Sequence, residues 1–105
     1  MVMTKSVAVM DMDRIRVVLA RHKQELRERF KVKDIGVFGS YVKGRQRKKS
    51  DIDVLVEFEE PVGLFDFIAL KEYLASLLGV KVDLVSKKAL KPRIGERILK
   101  EVILV

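Results

Sequence analysis

Residues 39–58 read GSYVKGRQRKKSDIDVLVEF and carry most of the information about how this chain folds. The segment ends in Ile52–Phe58, a nearly continuous apolar run that is typical of a strand covered on both faces. Because side chains alternate between the two faces of a strand, Asp51 and Asp53 share one face and most of the apolar residues share the other. Two strand rises separate these aspartates by about 6 to 7 Å, so their carboxylates can converge on one site.

The sequence on either side of this segment predicts a small α+β domain. Helices are indicated by apolar residues on one helical stripe, and strands by short β-rich runs bounded by glycine or proline. The predicted elements are, in order, a helix over 12–30, strands over 33–38 and 52–58, a helix over 64–78 closed by Gly79, a strand over 80–85 and a helix opened by Pro92. The fold class is therefore α/β of the α+β kind, a small mixed β-sheet covered by helices on one face.

Further expectations concern the last helix, the C-terminal tail and the lone histidine. The last helix is expected to turn its apolar residues toward the core, namely Ile94, Ile98, Leu99 and Val102. The tail EVILV at 101–105 fits the end of that helix, a docking segment or an oligomer contact. His22 lies on the stripe of the first helix with no second metal ligand near it in sequence, so we assign it no function.

Composition and length limit the classes of function. With 105 residues we expect one domain over 1–105, in which 1–10 could be a flexible lead-in. The net charge of +7 favours polyanionic partners, either nucleic acid, nucleoside triphosphates or an acidic protein surface, although a solvated basic surface is the plainer alternative. The chain has no cysteine, which excludes thiol chemistry and fits a reducing compartment. No segment is apolar enough for a signal peptide or membrane span, so we predict a cytoplasmic protein without a membrane partner.

A third aspartate points to metal chemistry. Asp83 interrupts the apolar run of the third predicted strand, where aspartate is rare and costly to desolvate unless it is paired or bound to a cation. Three converging carboxylates predict a hard cation, and oxygen ligands favour Mg²⁺ or Mn²⁺ over zinc. Gly39 and Ser40 follow the first strand, where a residue without Cβ lets backbone N–H groups approach a phosphate.

The segment 39–58, with Gly-Ser, ten residues and then Asp-x-Asp, resembles the signature of the minimal nucleotidyltransferase (MNT) family of the DNA polymerase β superfamily. The stretches LARHKQELRERF, VDLVS and ALKPRIGERIL also resemble that family. The resemblance implies that Asp51 and Asp53 hold two catalytic Mg²⁺ ions and that Asp83 joins the metal site and helps to activate the attacking hydroxyl. It also implies that Gly39 and Ser40 hold the triphosphate of the nucleotide.

One position departs from the family pattern. Family sequences commonly carry arginine before the second glycine, whereas this chain has Lys43 before Gly44 and Arg45 after it. Lysine is a point charge that lacks the bidentate fork of arginine. We therefore include Lys43 and Arg45 among the nucleotide-binding residues and expect the geometry of phosphate binding to differ from that of the family.

Members of the MNT family are often antitoxin partners of HEPN-domain ribonucleases. The resemblance therefore implies an enzyme that transfers AMP from ATP to a tyrosine of a HEPN-type toxin. The chain is too short to carry a substrate-holding domain of its own, so we expect an oligomer with itself or with its partner. Two alternatives stay open: an antitoxin that neutralises its partner by binding alone, and a nucleic-acid-binding module that uses the basic loop at 43–49.

Overall fold

The computed structural model of the protein describes residues 11–45 and 51–105. Within them the helices are α1 (Met12–Arg21), α2 (Lys23–Phe30), α3 (Leu64–Leu78) and α4 (Pro92–Glu101). The strands are β1 (Val32–Phe38), β2 (Ile52–Phe58), β3 (Val82–Ser86) and β4 (Ile103–Leu104), and single 3₁₀ turns occupy Gly39–Tyr41 and Lys87–Ala89. The predicted flexible lead-in at 1–10 and most of the basic loop lie outside the described residues. None of the helices within the described ranges has the length and apolar character needed to cross a membrane.

The four strands form one mixed sheet in the order β3-β2-β1-β4. β1 is antiparallel to both β2 and β4, whereas β2 and β3 are parallel because α3 crosses over between them. The predicted α+β class with a mixed sheet is confirmed. The crossover helix ends at Gly79, whose left-handed φ of 69° closes α3, as the sequence predicts.

The hydrophobic core lies on one face of this sheet, which we call the core face. The core face carries alternate residues of β2, Ile52, Val54 and Val56, as the strand period predicts. Helices α1, α2 and α3 pack their buried residues against this face. The core comprises Ile15, Leu19, Leu26, Ile35, Val37, Ile52, Val54, Val56, Leu70, Leu74, Leu78, Val82 and Leu84, together with Val32 and Tyr41. We call the opposite face, which carries Asp53 and Asp83, the acid face.

The first helix is not continuous, contrary to the prediction over 12–30. It begins as predicted with Asp11, whose side chain accepts from the Arg14 N–H at 2.9 Å, but it breaks at His22. There the imidazole Nδ1 donates to the Val18 carbonyl oxygen at 2.8 Å, and the backbone departs from helical geometry to ψ 9°. The break separates α1 from α2, and each helix still buries a leucine in the core.

The prediction that α4 turns its apolar stripe into the core is wrong. Ile94 and Leu99 are 56% and 47% exposed, and Gly95 is the residue of α4 that is buried. The core face is already covered by the other three helices, so α4 lies outside that core, and Gly95 meets Leu90 instead.

The C-terminal tail adds a strand that the sequence did not predict. Ile103 and Leu104 pair with Val37 and Gly36 of β1, and the Val105 N–H donates to the Ile35 carbonyl oxygen at 3.0 Å. Gly36 makes this possible, because a Cβ there would lie 2.7 Å from Val102 Cγ2 and 2.9 Å from the Ile103 carbonyl oxygen. Of the alternatives for the tail, continuation of the last helix is therefore wrong beyond Glu101.

Candidate active site

Strand pairing brings two of the predicted aspartates together. Asp53 in β2 is the direct register partner of Asp83 in the parallel strand β3, so their side chains stand side by side on the acid face. Asp51 immediately precedes β2 and is exposed, as is Asp83, whereas Asp53 is half-buried. The alternation deduced from the sequence thus places Asp53 and Asp83 on one face, and Asp51 lies near enough for its charge to raise the pKa of Asp53.

The electrostatics of Asp53 reflect this crowding of like charges. Burial is the largest cause that raises the pKa of Asp53, to about 6, and the charges of Asp83 and Asp51, a hydrogen bond with Asp83 and the charge of Glu101 add to it. A carboxyl with such a pKa gains from any cation that neutralises its neighbours. The site is therefore short of positive charge as it stands.

Gly39 lies directly against Asp53. It begins the 3₁₀ turn after β1 with a φ of 80°, a left-handed conformation that favours glycine. A Cβ at this position would overlap the Asp53 carboxylate and approach its Cγ to 3.0 Å. Glycine is thus required here both by the backbone conformation and by the carboxylate that fills the space.

The remaining predicted residues line the turn that Gly39 opens. Ser40 is half-buried, and its carbonyl oxygen accepts from the Arg45 N–H at 2.9 Å, which closes the turn. Lys43 is exposed and pairs through Nζ with Glu101 Oε2 at 3.2 Å. Arg45 is also exposed, at the border of the segment that the structure does not describe.

Glu101 contacts the candidate site, and sequence reasoning missed it. Its Oε1 accepts from the Gly39 N–H at 3.0 Å, and this hydrogen bond is the main cause that lowers the Glu101 pKa, with Lys43 adding to it. A cavity of about 220 Å³ opens beside this contact. It is lined by Phe38, Gly39, Lys43, Ile94, Arg97, Ile98 and Glu101. No sequence signal points to Glu101, because its role depends on where α4 lies.

The acid face fits a divalent cation by its chemistry. Asp51, Asp53 and Asp83 offer only oxygen ligands, and after burial it is the negative charges of Asp83 and Asp51 that raise the pKa of Asp53. Among residues 11–45 and 51–105, however, no group of three or more acidic or histidine side chains is close enough to form a ready-made metal site. A divalent cation held by all three aspartates would therefore require Asp51 and Asp83, which are exposed, to close around it together with Asp53.

A second groove, of about 320 Å³, lies between the end of β2 and the start of α3. It is lined by residues such as Pro61, Leu64, Phe67 and Lys88 and contains none of the predicted site residues. Its lining is largely apolar and lacks the paired aspartates of the acid face. The candidate active site is therefore the place where Gly39, Asp53 and Asp83 come together.

Known proteins of one family are similar to this chain in sequence. The model of the nucleotidyltransferase domain family matches residues 19–105. The chain belongs to the nucleotidyltransferase family. It is 52% identical over 98 residues to the protein adenylyltransferase MntA of Thermococcus cleftensis, an alignment that covers 93% of this chain and 99% of that protein. The prediction that the chain is a nucleotidyltransferase is confirmed.

Solved structures share the fold. One, of a protein assigned as a minimal nucleotidyltransferase, superposes with a TM-score of 0.72 at 40% identity and covers 94% of this chain and 98% of its own. Another, a toxin-antitoxin complex with AMP-PNP, has a TM-score of 0.69 at 28% identity and covers 81% of this chain and 69% of its own. The resemblance read from residues 39–58 therefore extends over most of the nucleotidyltransferase domain.

Proposed function

We propose that this nucleotidyltransferase is a Mg²⁺-dependent antitoxin that transfers AMP from ATP to a tyrosine of a partner HEPN toxin. The observation that carries the proposal is the side-by-side placement of Asp53 and Asp83, with the Gly39 turn directly against Asp53. A cation held by these carboxylates would lie next to a phosphate held by the glycine turn, which is what nucleotidyl transfer requires. ATP as donor and a ribonuclease as partner would both place the reaction in the cytoplasm.

The aspartates have distinct roles in this proposal. Asp51 and Asp53 would hold Mg²⁺, two ions by resemblance to the family, with Mn²⁺ as a substitute. The metal supplies charge neutralisation for the carboxylates and the triphosphate. Asp83 would help to take the proton from the attacking tyrosine hydroxyl, whose oxygen forms a bond to the α-phosphorus. The bond from that phosphorus to the β-phosphate bridging oxygen breaks, and pyrophosphate leaves.

The turn after β1 would position the triphosphate. The Gly39 N–H and the Ser40 hydroxyl offer hydrogen bonds to phosphate oxygens, and Lys43 and Arg45 offer positive charge. Lys43 already reaches the Gly39 side of the turn through Glu101, which supports its assignment to this site. Fixing the phosphates against Asp53 supplies most of the catalysis, because phosphoryl transfer depends mainly on positioning and charge compensation.

The partner is inferred from similarity rather than from a surface of this chain. The relative that is 52% identical is named a protein adenylyltransferase, and a solved relative at 28% identity is a toxin-antitoxin complex with AMP-PNP. Both agree with the HEPN partner that the MNT resemblance implies. Assembly with a partner, or with a second copy, would complete a site that this small domain leaves open on the acid face.

The test is transfer of label from α-³²P-ATP to the co-purified HEPN partner in the presence of Mg²⁺. Wild type should label the partner, and Asp53→Asn should not. Asp34→Asn serves as the matched control, because Asp34 is an exposed aspartate of the same sheet that lines a different cavity. Mass spectrometry should place AMP on a tyrosine, and a Tyr→Phe change there should remove it. Absence of transfer by folded wild-type complex, with Mg²⁺ or Mn²⁺, would contradict the proposal.

Neutralisation by binding alone is the second candidate. It is favoured by one observation, namely that Glu101 already occupies Gly39 and Lys43, the groups assigned to the triphosphate. The two candidates separate in cells that express the toxin. If Asp51→Asn keeps binding the toxin and still neutralises it, the enzymatic proposal fails and occlusion replaces it.

A further inference from the structure

A single carboxylate joins the end of α4 to the turn that follows β1. Glu101 Oε1 accepts from the Gly39 N–H at 3.0 Å, and Glu101 Oε2 pairs with Lys43 Nζ at 3.2 Å. Both partners belong to the turn, and both are groups assigned above to the triphosphate. Each oxygen of the carboxylate therefore engages one donor of the proposed phosphate site.

A carboxylate and the edge of a phosphate present the same chemistry to these donors. Both offer two negatively charged oxygens, and both make charge-assisted hydrogen bonds with N–H groups. The Gly39 amide has one hydrogen, so it cannot serve Glu101 and a phosphate oxygen fully at the same time. The Lys43 ammonium group has three hydrogens and can donate to both groups at once, so Glu101 and phosphate compete chiefly for the Gly39 amide.

The negative charge of Glu101 would also oppose binding of a triphosphate. Its negative charge is among the causes that raise the pKa of Asp53, so it acts within the cluster of aspartates. A triphosphate on the Gly39 turn would meet this charge at close range unless the carboxylate moved. Repulsion between like charges adds to the competition for the donors.

The backbone around Glu101 is held on both sides. The Val102 N–H donates to the Ile98 carbonyl oxygen at 2.8 Å, and the next two residues pair with β1. The Glu101 side chain, in contrast, is 26% exposed at the rim of the cavity beside Gly39. Rotation of the side chain alone can therefore release both donors while α4 and β4 stay in place.

From these contacts we infer that Glu101 is a built-in competitor of the nucleotide, which occupies the Gly39 amide and Lys43 until a triphosphate displaces it. The inference rests on the proposed function, because it takes the Gly39 turn to be the triphosphate site. It assigns Glu101 a role in setting nucleotide affinity. Glutamine at this position would keep the hydrogen-bond acceptor but lose the charge.

The experiment is isothermal titration of the full chain with ATP and Mg²⁺, and in parallel with adenosine. Glu101→Gln should bind ATP about tenfold more tightly than wild type, because a charge-assisted hydrogen bond no longer has to be broken. Adenosine binding should change less than about twofold, because adenosine carries no phosphate. Glu96→Gln is the matched control, since it removes the same charge from an exposed position of α4, and it should bind ATP as wild type does.

The outcomes separate the inference from the proposed function. Tighter ATP binding by Glu101→Gln alone, including the case in which wild type shows no binding, supports competition. Unchanged or weaker ATP binding in a folded Glu101→Gln protein overturns it, and weaker binding would mean that Glu101 holds the turn in place for the nucleotide. An equal gain in adenosine binding also overturns it. The labelling of the partner by wild type decides the proposed function independently of all these results.

Discussion

The two faces of the sheet are built from the same strands yet meet opposite demands. On the core face, Val54 and its apolar neighbours are buried under three helices, and none of the charged residues among 11–45 and 51–105 is fully buried with them. On the acid face, Asp53 is only half-buried, and its surroundings raise its pKa. Asp53 and Val54 are adjacent in sequence, and alternation along β2 points them to opposite faces. One side of the strand therefore contributes to stability and the other to the candidate active site.

Because the two faces carry different residues of β2, substitutions can affect stability and activity separately. Changes on the core face should lower the free energy of unfolding, because they remove buried apolar contacts. Changes on the acid face should lower the transfer rate and leave the fold intact or even stabilise it, because they remove crowded charges. The free energy of unfolding therefore measures the effect of substitutions on the core face, and the transfer rate measures the effect of substitutions on the acid face.

The largest expected effect is on the acid face. Asp83→Asn keeps the shape of the side chain but cannot accept the proton of the attacking hydroxyl, so the rate of AMP transfer should fall about 1000-fold. The rate of labelling of the HEPN partner measures this, and thermal unfolding checks the fold. Asp66→Asn, an exposed aspartate at the start of α3, is the control. A loss of less than about tenfold for Asp83→Asn would mean that Asp83 takes no part in the chemistry.

On the core face the expected effect is on stability. Leu74 is fully buried in the middle of α3, so Leu74→Ala should lower the free energy of unfolding by about 3 kcal/mol. Leu64→Ala on the same helix, where the side chain is 70% exposed, should change it by less than about 0.5 kcal/mol. Urea unfolding measures both. Similar losses for the two variants would show that the core face does not carry the stability of the domain.

A smaller effect links the acid face to pH. The pKa of Asp53 is raised from 3.8 to about 6, so the folded chain holds this proton more tightly than the unfolded chain does. The free energy of unfolding therefore falls as the pH rises from about 4 to about 6, and it stays lower above that range. Asp53→Asn cannot ionise, so without Mg²⁺ it should melt a few degrees above wild type at about pH 7.5, and the difference should shrink toward pH 4.

Saturating Mg²⁺ provides the control for this prediction. The cation should stabilise wild type more than Asp53→Asn, because it binds the folded carboxylates, and so it should narrow the difference in melting temperature. If Asp53→Asn has a lower melting temperature than wild type at every pH without metal, the like charges on the acid face do not destabilise the fold.

The smallest effect is expected at the position that departs from the family pattern. Lys43→Arg keeps the charge and the ion pair with Glu101 and adds the fork of the guanidinium, so ATP affinity should rise by no more than about threefold. Titration with ATP and Mg²⁺ measures this change. A loss of more than about tenfold would show that the turn is shaped specifically for lysine.

The sequence alone predicts the central part of the fold and of the site. The strand period of residues 52–58 and the position of Asp83 in the next run placed Asp53 and Asp83 on one face, and the observed register confirms it. Gly39 was predicted beside a phosphate because of its place after a strand. The contact between Gly39 and Asp53 could not be predicted from the sequence, because this contact depends on how the turn after β1 lies against β2.

The C-terminal part shows where sequence reasoning fails. β4 has only two residues and forms because β1 offers it a partner at Gly36, which no local pattern reveals. The apolar stripe of α4 was read as core, because periodicity shows that a helix has an apolar side and not what that side meets. Glu101 contacts Gly39 across 62 residues of sequence, so its role appears only in the folded chain.

The close approach of Gly39 to Asp53 constrains how this site can change over generations. A side chain at residue 39 would collide with the Asp53 carboxylate, so residue 39 cannot be altered without regard to residue 53. A lineage that gives up catalysis by losing Asp53 removes that steric restriction on Gly39. Once the glycine has then been replaced, restoring the aspartate alone would no longer restore the enzyme, so loss of activity by this route would be hard to reverse.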